Sequence, residues 1–260
     1  MEERKELEAQ QAERLGQMQV LPFLVDTLLK VEKLRIATQV RSSHLKRNGR
    51  VCAETDNLLD ELREIEDYTT KRVAKLIQDH PAYPWFSKIK GIGKENIAKV
   101  VGLIDIEKAP HVSSLWAFAG YSVNNGKAPK RAKGEKLSYC SQLRVMCYRL
   151  GGSLMKANGA YYDYYMNEKR KYQARFESEG KEIVPANKLP KIDGKKCESD
   201  QHISEGHIHN MALRKMVKLF LAHLWVEWRK GMGLPTSDPY VGDKLSHKHI
   251  IDPWEMVPAE

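Results

Sequence analysis

The sequence predicts a mainly α protein, a helix-hairpin-helix-containing helical domain preceded by a long α-helical hairpin or coiled-coil arm. Three observations carry that expectation. Apolar residues recur at helical spacing along most of the chain, and no convincing run of alternating strands is present. One segment, Ile89-Lys90-Gly91-Ile92-Gly93-Lys94-Glu95-Asn96-Ile97-Ala98, has the form of a tight turn between two helices.

Residues 1–80 read as the arm. Its first helix is rich in Glu, Gln, Lys, Arg and Leu, and Asn48-Gly49 breaks it from a second. There Leu58, Leu62, Ile65, Thr69, Val73 and Leu76 fall at steps of three and four, with Thr55 placed to cap the start. The arm's expected role is packing or self-association. His80-Pro81-Ala82-Tyr83-Pro84 ends it.

A domain over 81–230 follows. A short helix at Trp85–Lys88 leads into the glycine turn, Lys94–Leu103 forms the next helix, and Ser113 or Ser114 caps one running to Ala119, closed by Gly120. Residues 122–136 form a polar loop holding Lys127, Lys130, Arg131, Lys133 and Lys136 against a single Glu135. A helix from about Tyr139 to Leu154 and a turn at Asn158-Gly159 precede an aromatic, charged helix carrying Tyr161, Tyr162, Tyr164, Tyr165, Lys169, Arg170 and Arg175. Residues 178–203 read as a long polar loop. The last strong helix spans Met211–Arg229, with Leu213, Met216, Val217, Phe220, Leu221, Leu224 and Trp228 on one side; residues 231–260, with four prolines, read as an extended tail.

The glycine turn carries chemistry as well as geometry. Glycines tolerate φ > 0 and admit a phosphate close to the main chain, and the amides opening the next helix face it at the positive end of a helix dipole. Gly91, Gly93 and Lys94 are therefore candidate nucleic-acid contacts, with Lys127, Lys130, Arg131 and Lys133 gripping neighbouring phosphates. A net charge of +9, from 43 Lys+Arg against 34 Asp+Glu, agrees with an anionic partner. The four tyrosines at 161–165 are read as packing against neighbouring helices in preference to stacking on bases.

From about Ser87 to Arg229 the order of features resembles the C-terminal domain of the Piv-type insertion-sequence transposases, the family that includes the bridge-RNA-guided recombinases. The resemblance rests on Lys90-Gly91-Ile92-Gly93, Gly102-Leu103-Ile104-Asp105-Ile106, Ser114-Leu115-Trp116-Ala117-Phe118-Ala119-Gly120-Tyr121, the basic loop to Gly134, Leu137-Ser138, Leu143-Arg144 and the final helix. It implies a DNA-binding protein of recombination or of mobile-element or phage DNA metabolism, with DNA favoured over RNA as partner.

The departures bear on catalysis. The family's nucleophilic serine precedes a glycine in the basic loop, where this chain reads Val123-Asn124-Asn125-Gly126, and an amide cannot make that in-line attack. Its Lys-x-Gly-Asn signature is replaced by Tyr139-Cys140-Ser141-Gln142, and the arm is too short and helical for the family's N-terminal acidic catalytic domain. Asp56, Asp60, Glu61, Glu64 and Asp67 read as a solvated helix face. Ser122, Ser138 and Ser141 lie near the loop, but no catalytic residue is assigned, and intrinsic strand cleavage is not the favoured reading. No cofactor is required for binding; Mg²⁺ enters only if the chain is catalytically active. Cys197, His202, His207 and His209 match no common zinc module, so no metal site is assigned.

Two alternatives stand beside DNA binding: a transposase or recombinase subunit working with a separate acidic catalytic partner, and an oligomeric structural adaptor whose arm self-associates. No apolar run is long enough to span a bilayer, and the N-terminus is charged with no signal-peptide core behind it. Cys52, Cys140, Cys147 and Cys197 form no CxxC and read as free thiols. A cytoplasmic, bacterial or phage-encoded, nucleoid-associated protein is expected, with no membrane partner.

Overall fold

A computed structural model describes residues 16, 18–50, 52–123, 126, 128–131, 133–192, 194–236 and 251–258. Those residues form eight α-helices, the third of them the four-residue α3 (Tyr83–Phe86), and four strands of two or three residues, so the fold is mainly α as expected. The chain divides into two compact units, one of Met1–Tyr83 with Gly93–Asp105, the other of Pro84–Ile92 with Ile106–Glu260. No described helix is long and apolar enough to cross a membrane.

In the first unit α1 (Leu21–Arg47) and α2 (Ala53–Leu76) form an antiparallel hairpin, broken at Asn48 and Gly49. Its register is fixed by polar pairs: Arg35 donates to Glu66, Ser42 Oγ donates to Asp56 at 2.8 Å, and Lys46 pairs with Asp56 at 2.9 Å. The predicted stripe is rotated. Leu59, Leu62, Thr69 and Val73 are buried, whereas Leu58 and Ile65 stay 47% and 48% exposed because Leu59 takes the inward place. Nor does Thr55 cap α2, which starts two residues earlier with Cys52 in extended backbone.

Both arms end on a small core of Leu21, Val25, Leu28, Val73 and Ile77, against which Ile97, Ala98, Val100 and Val101 of the eight-residue α4 (Lys94–Val101) pack. Lys99 is 2% exposed and reaches Glu32 at 3.2 Å and Glu95 at 2.6 Å. An ammonium this deep is tolerable only with carboxylate partners, so the pairing fixes α4 on α1 in one register.

The second unit is built around α8 (Glu205–Gly231), which buries all seven predicted apolar residues and also Trp225, Ala222, His223 and Arg229. A helix buried on so many sides needs neighbours on each. They are α5 (Val112–Phe118), α6 (Ser141–Ala157) and α7 (Ala160–Ser178). Tyr161 and Tyr165 are buried, the first edge-on to Phe220 at 5.6 Å and the second bonded to His209 Nδ1 at 2.8 Å, which agrees with the packing role read from the sequence.

The helix starts earlier than the sequence pattern indicates. Ser204 caps it by accepting from His207 N–H at 3.1 Å, and Glu198 in turn holds the Ser204 hydroxyl at 2.7 Å. The segment expected to be a loop carries short ladders: β1 (Glu182–Val184) lies parallel to β4 (His202–Ser204), and β2 (Lys191–Ile192) antiparallel to β3 (Lys195–Lys196). Phe176, Ile203 and Ile208 form a satellite core beneath them.

The C-terminal tail is anchored in its described part. Asp252 caps a 3₁₀ turn at Pro253–Met256, and Trp85 Nε1 donates to the Pro253 carbonyl at 2.8 Å while its ring stacks on Phe220 at 5.7 Å. His223 completes the anchor. Its Nε2–H donates to the Ile251 carbonyl at 3.0 Å, so Nδ1 accepts from the Tyr161 hydroxyl at 2.8 Å and the ring is neutral. Burial pushes its pKa down to about 4. Because the unfolded ring takes a proton near 6.5 and the folded one does not until about 4, stability is full above 6.5 and falls as pH drops through that interval. The loss amounts to about 3 kcal/mol. Urea titrations of the wild type and His223→Gln from pH 8 to 4 check this. The variant should show the shallower decline; equal slopes would remove His223 as the cause.

Candidate nucleic-acid interface

In the second unit the segment after α5 turns at Gly120, where φ is +75° and an added Cβ would lie 2.8 Å from the Tyr139 ring and 3.0 Å from Arg144 Cδ. Only glycine lets the backbone pass here. Arg144, from α6, donates to the Pro129 carbonyl at 2.9 Å and lies 4.9 Å from the Tyr139 ring centre. Arg214, from α8, donates to the Gly120 and Ser122 carbonyls at 3.4 and 2.5 Å and lies 5.2 Å from the Tyr121 ring. Two guanidinium groups thus tie down both ends of the 120–129 segment, and a groove of about 450 Å³ opens beside them. Its lining includes Tyr121, Arg144, Tyr148, His207, Asn210 and Arg214, and among the described residues no carboxylate lines it, the nearest bonded one being Glu198 on His207 at 2.6 Å.

The electrostatics are one-sided. Burial lowers the Arg214 pKa and the charge of Arg144 lowers it further, while the Tyr121 phenol acts the other way. Lys218, one turn along α8, sits 4.0 Å from the Trp116 ring centre; burial and then the charges of Arg214 and Lys215 depress its pKa. Lys215 itself is neutralised by Glu168 at 2.6 Å. Burial alone would raise the Glu168 carboxyl, but hydrogen bonds from Lys171 and Lys215 outweigh it and hold the group ionised below its usual range. Cations that do not meet carboxylates repel one another, and an arriving phosphate relieves that repulsion.

Lys130, Arg131 and Lys133 are exposed in the loop that Arg144 pins, while Lys127 lies outside the described residues, as do Asn124 and Asn125. Gly91 belongs to the second unit and Gly93 and Lys94 to the first, so the chain passes between units inside the turn. Gly91 has φ +94°, and a Cβ there would lie 2.6 Å from Ala157 Cβ and 3.0 Å from the Ser153 carbonyl oxygen. Its glycine is demanded by the C-terminal end of α6. Gly93 and Lys94 are exposed, and Gly93 has open space around it.

Arg144, Arg214 and Lys218 were not singled out by sequence reasoning as ligands. Arg144 carried a signal, being half of the Leu143-Arg144 match; Arg214 and Lys218 look like the polar face of an ordinary amphipathic helix. Among the serines near the loop, Ser138 and Ser141 are exposed, and Ser141 is the first residue of α6. The Cys/His segment is engaged piecewise: His202 Nδ1 with Ser199 at 3.1 Å, His207 Nδ1 with Glu198 at 2.6 Å and His209 with Tyr165. Comparison of the chain with family models, curated proteins and solved structures finds no match in any of the three.

Proposed function

We propose that this chain binds nucleic acid, DNA in preference to RNA, by its phosphate backbone. The observation that carries the reading is the cluster of Arg144, Arg214 and Lys218, which has no carboxylate ion-paired to it among the described residues and is continuous with the exposed Lys130, Arg131 and Lys133. Phosphate is the anion that such a stripe of guanidinium and ammonium groups accommodates best, and its contacts position a strand without reading sequence. Gly93 and Lys94 offer a second contact at the exposed start of α4. The motif order shared with the Piv-type transposases supports a role in recombination or mobile-element DNA metabolism, at the nucleoid, with strand cleavage supplied by a separate acidic partner where it is needed.

The test is a gel-shift titration at several salt concentrations. Retardation should weaken steeply with salt, and alanine at Lys130, Arg131 or Lys133 should each lower the slope of log K against log salt by about one while weakening all sequences alike. Salt-independent or absent retardation would leave the adaptor reading in its place. That reading has one observation in its favour: the arm leaves Val40, Leu58, Ile65 and Tyr68 between 47% and 63% exposed, a surface suited to self-association.

A further inference from the structure

The groove beside Arg144 and Arg214 has a composition that backbone binding alone does not explain. Cations that track phosphates need only to be exposed, as Lys130, Arg131 and Lys133 already are. Here a concavity of about 450 Å³ brings two guanidinium groups together with apolar and aromatic side chains. Val145 and Tyr148, on α6, are 53% and 56% exposed although both line it, and Leu213, from α8, lines it as a buried residue. Asn210 adds an amide carrying both donors and an acceptor to the lining. An aromatic ring, apolar side chains, an amide and a pair of arginines together match a molecule that is ring-shaped at one end and anionic at the other.

We propose that the groove takes one unpaired nucleotide of a single strand, its base against Tyr148 and its phosphate toward Arg144 and Arg214. This rests on the nucleic-acid reading and narrows it to strands with unstacked bases. A base inside a duplex is stacked on both faces and cannot enter a pocket on the protein, whereas a base in a single strand or a gap can. Two features make the site ready for it. The arginines are fixed by the Pro129, Gly120 and Ser122 carbonyls, so little side-chain freedom is lost on binding. Tyr148 is exposed, so its ring is open to a partner without rearrangement.

The experiment measures fluorescence anisotropy of the full chain with a labelled single strand, with the blunt duplex of the same sequence, and with 5′-AMP as competitor. The single strand should bind more tightly than the duplex. Tyr148→Ala should weaken the single strand roughly 10- to 100-fold while leaving the duplex within about twofold, and Tyr148→Phe should retain the affinity. Arg144→Gln should weaken both substrates, the single strand more; should that variant unfold, Tyr148→Ala, at an exposed position, carries the test alone. Equal loss on both substrates, or no loss on either, overturns the proposal. If both substrates bind with steep salt dependence but Tyr148 is indifferent, only the groove assignment falls. If neither binds, the nucleic-acid reading falls with it. Binding of 5′-AMP at least as tight as the strand's, with the same sensitivity to Tyr148→Ala, would reassign the groove to a free nucleotide and overturn the strand assignment.

Discussion

Replacing Arg229 by alanine should lower the stability of the second unit by about 3–4 kcal/mol, enough to move its melting temperature by roughly 10 °C. The side chain is 6% exposed. It donates to the Pro235 carbonyl at 2.7 Å, to Ile106 at 3.1 Å and to Ala109 at 3.3 Å, with its guanidinium carbon 5.2 Å from the Trp225 ring. Trp225 Nε1 shares the Ala109 carbonyl at 2.7 Å. Removal leaves carbonyls short of donors in a buried place and a void against the indole, two costs that add. Arg229→Lys should recover only part of the loss, since one ammonium on a single stem cannot span three carbonyls held by a planar fork. Arg229→Met separates the two contributions, because it fills most of the void with an apolar stem and loses every donor. Denaturant midpoints for the three variants give the ranking. Alanine as stable as lysine would mean that the hydrogen bonds contribute little and that solvent already satisfies these carbonyls.

Arg229 illustrates which parts of the fold were legible in the sequence. The apolar stripe of α8 was readable, and each of its seven predicted residues is buried. What the stripe could not disclose is that a second face is buried too, because Arg229 and His223 are inside only by virtue of carbonyls distant in the chain. Long-range backbone acceptors leave no periodic trace in composition. The same holds for the anchored tail, whose Pro253 and Met256 are buried although the proline spacing reads as an extended wrap. The start of α8 escapes the apolar pattern although its Ser204 cap is an ordinary one. His207, Ile208 and His209 do not resemble an apolar run, yet Ser204 and Glu198 set the first turn of α8 there. In the arm, Leu58 and Leu59 are equivalent to a pattern match, and only contact with α1 chooses between them.

The candidate site was legible in its charges more than in its shape. A block of lysines in a polar loop announces itself, and Lys130, Arg131 and Lys133 stand exposed as the composition implies. The groove is assembled from residues near 121, 144–148 and 207–214, brought together by α6 and α8 packing, and no local spacing encodes that meeting. That no described carboxylate pairs with Arg144 or Arg214 is likewise a property of the folded surroundings. Glu168 lies on the adjoining helix but pairs with Lys215 and Lys171.

Gly91 and Gly93, one residue apart, should respond oppositely to the same substitution. Gly91→Ala places a methyl group against Ala157 and the Ser153 carbonyl, at a backbone angle of φ +94° that L-residues rarely adopt. Strain and overpacking together should cost about 3 kcal/mol, read as a lower urea midpoint. Gly93 has φ −86° and ψ 143°, which alanine adopts without strain, and its added methyl meets nothing within 4 Å. Its effect on stability should stay within about 1 kcal/mol, the difference between glycine and alanine before a helix. In binding the order reverses. A methyl group at Gly93 stands beside the first amides of α4, where a phosphate would have to approach, so Gly93→Ala should weaken DNA several-fold while folded Gly91→Ala binds normally. Should Gly93→Ala bind as the wild type does, the exposed turn makes no phosphate contact, and binding must rest on the cations of the second unit alone.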